Sequence, residues 1–279
     1  MVRTIVIGCG GAGCNTVSRI ENEATSIVKM NAGSNRSDVQ ISMAKGDVDG
    51  CRGDPDLGWA LAYDSKEDIK RAIEHYDNII VTAGLGGGTG SGAIPVIAEC
   101  AREENMKLVS VVSIPMPFEV TRRTRALLQM KAVIEVSDRT ILFDIGRMPE
   151  MGGGAMRISS AIASADEMMK EVIVRVESRL NGPFFSLLSE KAYTVAYSLG
   201  SDPVRTVIRA MDAPLFKTDL NCGKIIVTSD SSISRSESGA LTQEVCSRTG
   251  IVPDVVPGDT DGDHGILLFI PISSRSELS

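Results

Sequence analysis

The sequence contains no C-x-x-C pair; its six cysteines, Cys9, Cys14, Cys51, Cys100, Cys222 and Cys246, are scattered along the chain. That argues against a zinc site and predicts free, buried thiols in a reducing compartment. There are only two histidines, His75 and His264, far apart and without ligand spacing, so both read as surface or strand-end residues. No G-x-x-x-x-G-K-[ST] occurs, which excludes a P-loop. The longest apolar runs, such as Gly265–Pro271, fall far short of the ~20 residues that span a bilayer. No secretory signal precedes the first predicted strand. Positive charge is also in deficit: 29 Lys and Arg face 36 Asp and Glu, for a net charge of −7 and a pI near 5.0. This disfavours a nucleic-acid partner, whose footprint is clustered basic charge. A small anion stays acceptable, because backbone N–H groups at a helix start need no net positive charge. The expectation is a soluble cytoplasmic protein without membrane insertion.

What is present is globular: 279 residues, 43% hydrophobic and 23% charged, enough for one large domain or two ordinary ones. Thr4–Gly8 predicts a strand entering a glycine loop, with helical spacing over Cys14–Asn22 and a second strand at Ser26–Met30. Lys66–His75 predicts a helix, Asn78–Thr82 a strand, Ala93–Glu103 a helix and Lys107–Ile114 a strand. Glu119–Val136 then reads as helix and Arg139–Asp144 as strand. Such alternation implies a parallel sheet covered on both faces, with ligands at the carboxyl ends of the strands. Ser159–Leu180 predicts one long helix, with Met168, Val172, Val176 and Leu180 at steps of four, stopped by Gly182-Pro183. Beyond it the rhythm changes, with strands at Tyr193–Leu199, Lys224–Thr228 and Ile266–Ile270 and helices at Pro203–Met211 and Glu237–Arg248. This predicts a smaller α+β domain.

Two glycine loops occupy strand ends. Gly8-Cys9-Gly10-Gly11-Ala12-Gly13 satisfies G-x-G-x-x-G, but the second strand ends in Asn31-Ala32-Gly33, and the nearest acid for a ribose is Asp38. A dinucleotide site, and with it a nicotinamide-dependent oxidoreductase, is weakened by that gap. The second loop places five glycines between Gly86 and Gly92, a spacing that brings successive N–H groups onto phosphate oxygens. The hydroxyls of Thr89 and Ser91 stand ready to add hydrogen bonds, and the helix dipole adds attraction.

With Gly86-Gly87-Gly88-Thr89-Gly90-Ser91-Gly92 intact, the chain resembles the tubulin and FtsZ GTPases. Gly10, Gly11, Ala12 and Gly13 with Asn15 match the first nucleotide loop, whose asparagine contacts guanine in that family. Gly50–Gly58 resembles the loop that senses the terminal phosphate, with Gly53 carried over and Asp54 where asparagine is common. Pro115–Glu119 followed by Arg123 resembles the ribose loop, carrying over Glu119 and Arg123. Ala165-Asp166-Glu167 matches the start of the central helix, where an acid pairs with the guanine edge; Glu167 is the first choice and Asp166 the second. Ala213-Pro214-Leu215 resembles a pattern of the second domain. Gly84, Gly86, Gly87, Gly88, Thr89, Gly90 and Ser91 complete the expected contacts. The resemblance implies a parallel-sheet, Rossmann-like GTPase domain at residues 1–158, a central connecting helix at 159–181 and a C-terminal α+β domain at 182–279. It also implies bound GTP or GDP, with magnesium as a possible companion. A carboxylate accepts from the N1–H and amino group of guanine, donors that adenine does not offer at those positions, so the pocket predicts guanine. Ile162 falls where a phenylalanine often stacks on the base, and Asp144-Ile145-Gly146 lacks an asparagine common there.

One family feature is missing. Relatives deliver acids in an N-x-D-x-x-D pattern into the next subunit's site, whereas Leu180–Ser189 holds no carboxylate. The expectation is a GTP- or GDP-bound cytoskeletal or regulatory protein with weak or absent hydrolysis, self-associating as a homodimer rather than long filaments. The alternative is an active polymerising GTPase of cell division or cell shape, with replacement acids such as Asp212 or Asp219. Phe184 and Phe185 read as caps on the base of the second domain or as anchors for a partner. The sequence ends at Ser279, where relatives carry a peptide that docks on membrane adaptors; a membrane-associated partner protein is a further possible expectation.

Overall fold

The computed structural model describes residues 3–20, 25–32, 40–43, 50–148, 157–180, 184–216, 223–260, 262 and 264–272. The chain divides into two compact units, Met1–Gly182 and Pro183–Ser279.

The first unit is built on six parallel strands: β1 Thr4–Cys9, β2 Ser26–Asn31, β3 Ile41–Ser42, β4 Asn78–Gly84, β5 Lys107–Ile114 and β6 Arg139–Asp144. Their order is β3-β2-β1-β4-β5-β6. The helices are α1 Gly10–Ser18, α2 Pro55–Asp64, α3 Lys66–Ile73, α4 Thr89–Glu103, α5 Val120–Val136 and α6 Ile158–Arg179. β1, β4 and β5 are buried almost throughout, which explains their continuous apolar runs: parallel strands covered on both faces need no polar side. The sheet winds outward in both directions from the β1–β4 pair. In an open α/β sheet such a switch point leaves a crevice outside the strand ends, where ligands bind. Cys9 lies level with Ala83 across that pair, so the loops leaving β1 and β4 emerge side by side.

The second unit contains α7 Phe184–Leu187, β7 Ala192–Gly200, α8 Pro203–Met211, β8 Ile226–Ser229, α9 Arg235–Thr249, β9 Asp254–Val256 and β10 His264–Pro271. β10 pairs antiparallel with β7 on one side and β8 on the other, and β9 runs parallel to β8. Val207, Ala210 and Met211 of α8 and Leu241 and Val245 of α9 pack on the same core as Val227, Ile266 and Leu268. Asp202 caps α8 at Arg205 N, and Ser234 with Glu237 forms a reciprocal capping box on α9. Phe184 is buried edge-on against Phe269, while Phe185 is partly exposed.

The expected α/β architecture is present, with differences at particular elements. α2, β3, β9 and the single turn α7 have no counterpart in the sequence reading. α1 and α4 begin four residues earlier than their apolar spacing predicts, inside the glycine loops. Glycine is a poor helix former, so propensity places both starts too late. Among the described cysteines none forms a disulfide; Cys9, Cys14, Cys51 and Cys100 are buried and Cys246 partly so, while Cys222 lies outside the described residues. Burial pushes the Cys9 thiol well above its ordinary value and Cys100 up to about 11, which leaves both protonated and unreactive. His75 is exposed, and His264 is buried at the start of β10 beside the Ser229 hydroxyl. No helix among the described residues is long and apolar enough to cross a membrane.

Candidate functional site

At the end of β1 the chain turns directly into α1 through Gly10, whose φ of +69° is readily adopted only by glycine. A Cβ on Gly10 would sit 3.1 Å from Gly90 N, so the two glycine loops touch backbone to backbone. α1 has neither a side-chain cap nor an acid in its first turn, and the same is true of α4, whose N-cap is Gly88. By contrast Asp54 caps α2, accepting from Asp56 N at 2.9 Å and Leu57 N at 3.2 Å. Two helix N-termini thus lie side by side with their leading N–H groups uncapped by side chains. Each carries roughly half a positive charge of dipole, the arrangement that draws an anion.

The glycines in these loops divide by what stands in front of them. A Cβ on Gly11 would meet nothing within 4 Å, and one on Gly87 only Gly84 O at 3.7 Å. These two open onto free space. Gly88 does not: its Cβ would lie 2.5 Å from Asp54 O and 2.6 Å from Cys51 Cβ. Gly58 abuts the Gly88 carbonyl and Gly92 abuts Pro55 O and Trp59 N, so Gly58, Gly88 and Gly92 let α2 and α4 approach closely. Gly90 faces Ala83 Cβ at 2.9 Å and Cys9 O at 3.0 Å, and Gly84 faces Ala12 Cβ at 2.8 Å. Most of the cluster therefore serves packing, and its N–H groups are positioned by that packing.

The two hydroxyls differ. Thr89 is buried, and among the described residues its hydroxyl has no protein partner. Ser91, expected to stand ready, instead donates to Gln129 Oε1 at 2.7 Å. The same oxygen accepts from Gly86 N at 2.5 Å, and Gln129 Nε2 donates to Gly87 O at 3.1 Å. Gln129, on α5, fastens the glycine loop at three points. The sequence reading passed over it, although Arg122, Arg125 and Gln129 share a face of α5 at steps of three and four. Gln129→Ala should therefore lower stability by about 2 kcal/mol, read by urea unfolding, and loosen the loop.

Arg125 Nη1 donates to Gly53 O at 3.0 Å, tying the 50–54 loop to α5. Glu119 occupies the N-cap position of α5, accepting from Met116 N at 3.3 Å and from Arg122 Nη1 at 2.8 Å. Arg123 makes a two-pronged pair with Asp144, at 2.8 and 2.6 Å, and donates to Pro115 O at 2.6 Å. Hydrogen bonds donated to Asp144 raise the Arg123 pKa, which keeps the guanidinium charged.

Farther along α1, Asn15 is exposed one turn beyond Gly11. Thr16 Oγ1 donates to Asp166 Oδ1 at 3.3 Å, and Arg19 lies 4.0 Å from Asp166 and 3.4 Å from Glu167. Asp166 is the more sheltered acid, with 14% of its side chain exposed against 51% for Glu167, which also pairs with Lys170. Burial raises the Asp166 pKa, and Arg19 and the Thr16 hydroxyl pull it partly back. Ile162, one turn earlier on α6, is 42% exposed. No group of three or more His, Cys, Asp or Glu suited to a metal occurs among the described residues.

Comparison with known proteins places the chain in a family. Residues 19–153 match the model of the Tubulin/FtsZ family, GTPase domain. The chain is 31% identical to the cell division protein FtsZ of Haloferax mediterranei over 277 aligned positions, covering 89% of this chain and 72% of that protein. The empty FtsZ dimer structure from M. jannaschii superposes with a TM-score of 0.82 at 24% identity, covering all of this chain and 91% of that one. The GTPγS-bound protofilament of CetZ2 from Haloferax volcanii gives 0.77 at 20% identity, covering 99% and 95%. The chain belongs to the tubulin/FtsZ family of GTPases.

Proposed function

We propose that this chain holds GTP or GDP across its two glycine loops and turns GTP over slowly, acting as a cytoskeletal or regulatory element rather than a fast GTPase. The observation that carries the proposal is the pair of adjacent N-termini without side-chain caps, α1 and α4, with open space before Gly11 and Gly87. The N–H groups of Gly10, Gly11, Ala12, Gly87, Gly88, Thr89 and Gly90 supply the cradle, and the Thr89 hydroxyl adds a donor. A magnesium ion accompanying the nucleotide would be held mainly by the phosphates and its own water, which needs no protein cage.

For the base we favour Asp166 over Glu167, because it points toward α1 and is partly withdrawn from water. The acceptor must be ionised to take both guanine donors. Guanine affinity should therefore fall on acidification, beginning at higher pH than for an ordinary aspartate, because burial raises this pKa. Asp166→Asn should remove that acid limb and weaken GDP binding by about 1.5–3 kcal/mol. Displacement of a labelled guanine nucleotide across pH checks both, and equal competition by ATP would refute the pocket.

Slow turnover follows from Leu180–Ser189, which has no carboxylate to offer a neighbouring site. Of the two replacement acids, Asp212 is engaged with Arg248 at 2.9 Å, and Asp219 lies outside the described residues. Without the acidic loop of the family pattern, Leu180–Ser189 also offers less head-to-tail contact surface, which favours a closed homodimer over open filaments. Self-association fits the dimer and protofilament forms of the structural neighbours. The buried free thiols suit the cytoplasm. A membrane-associated partner is not part of this proposal. Identification by chromatography of the nucleotide released from purified protein tests the central reading: adenine or nicotinamide compounds would overturn it.

A further inference from the structure

We infer that Arg122, resting on Glu119 beside the glycine loop, is the guanidinium that meets the nucleotide phosphates, and that Arg123 is a fixed strut. The inference rests on the proposed nucleotide site and assigns a phosphate contact to Arg122, a residue the family resemblance does not carry over; that resemblance places Arg123 at the ribose. Three observations carry it. The first is position. The Arg122 carbonyl and Cγ fill the space in front of Gly86, and its Nη2 lies 3.7 Å from where a Cβ on Gly84 would be. Its side chain thus runs along the rim of the cradle where β4 ends.

The second is freedom to move. Arg122 is held by one ion pair, to Glu119 three residues earlier, with 43% of its side chain exposed. Exposed pairs of this kind are weak and easily exchanged. Arg123 is committed on both terminal nitrogens to Asp144, whose side chain is only 11% exposed, and also to the Pro115 carbonyl. Reaching a phosphate would cost it a bidentate bond and leave a buried carboxylate unpaired, which is expensive. Arg123 instead ties the 115–119 loop to the end of β6. Arg125 is likewise occupied, with Nη1 on Gly53 O.

The third is charge. The chain carries a net −7, and the cradle is otherwise made of backbone dipoles. A guanidinium that leaves a carboxylate for a phosphate gains a fork-shaped, charge-assisted contact with a dianionic group. Glu119 then competes with the ligand for Arg122, so the two residues have opposite effects on phosphate recognition.

The test compares GDP with guanosine, each displacing a fluorescent guanine nucleotide from the full chain, so that base and ribose contacts cancel in the ratio of affinities. Arg122→Gln should reduce GDP affinity about 10-fold or more while leaving guanosine unchanged. Glu119→Gln should raise the GDP-to-guanosine ratio, whatever it does to ribose binding. Arg123→Gln should lower the melting temperature and leave the ratio within about twofold. A ratio unmoved by Arg122→Gln in a parent protein that binds GDP overturns this inference alone. A folded Arg123→Gln protein with a collapsed ratio also overturns it. A parent chain that binds neither compound overturns the proposed function, and this inference with it.

Discussion

Gly87→Val should fold normally and lose GDP binding by roughly 10²–10⁴-fold. Gly87 does not have a positive φ, and a Cβ there meets only Gly84 O at 3.7 Å, an ordinary contact, so a larger side chain has open space to enter. It meets whatever occupies the cradle. Displacing phosphate oxygens from two N–H donors removes two charge-assisted hydrogen bonds of about 1.5–3 kcal/mol each, which gives the stated range. The neighbouring substitution is the control. Gly88→Val would force its Cβ against Asp54 O and Cys51 Cβ, where backbone has to move, so it should destabilise the fold by about 1–3 kcal/mol or more. Two adjacent glycines therefore separate ligand from packing. Calorimetry with GDP and thermal unfolding on both proteins checks the pair, and a folded Gly87→Val protein with unchanged affinity would remove the cradle from the site.

That contrast also shows how far the sequence could be read. β5, β6 and α8 coincide with their expected spans, because buried parallel strands and an Asp-Pro start leave strong local signals. The same Asp-Pro signal stands at Asp54-Pro55, yet α2 escaped, because the run resembled a loop and contains a mid-helix glycine. Gly58 makes sense only in three dimensions, as the point where α4 comes closest. A glycine spared for ligand and a glycine spared for a neighbouring helix look identical in sequence.

The polar residues tell a similar story. The sequence reading ranked Glu167 ahead of Asp166, whereas the rotation of α6 turns Asp166 toward Thr16 and Glu167 toward solvent. Ser91 looked available until Gln129, 38 residues away, was seen to claim its hydroxyl. Arg122 and Arg123 are adjacent in sequence, and a helix separates them by about 100°. One is consequently bound to β6 and the other lies beside the glycine loop. Motifs marked out the candidate site, while the assignment of duties within it depended on long-range contacts.

Turnover should stay near background and show no dependence on protein concentration. Water-positioning or general-base groups contribute about 10²–10⁴-fold to a reaction of this kind. In the family pattern those groups are carboxylates that arrive from the next subunit, so hydrolysis accelerates as subunits assemble. Leu180–Ser189 contributes hydrogen-bonding and apolar residues only, and assembly then brings no base to the terminal phosphate. Of the replacement acids named, Asp212 already neutralises Arg248, which also pairs with Glu244. Phosphate release per chain, followed over a hundredfold range of concentration beside light scattering, should give a flat line and no growth of long polymers. If turnover instead rises cooperatively with filaments in view, Asp212→Ala and Asp219→Ala identify the source: the variant that abolishes the rise carries the replacement acid. Such a result would make this an active polymerising GTPase, with its water-positioning group supplied by a residue outside Leu180–Ser189.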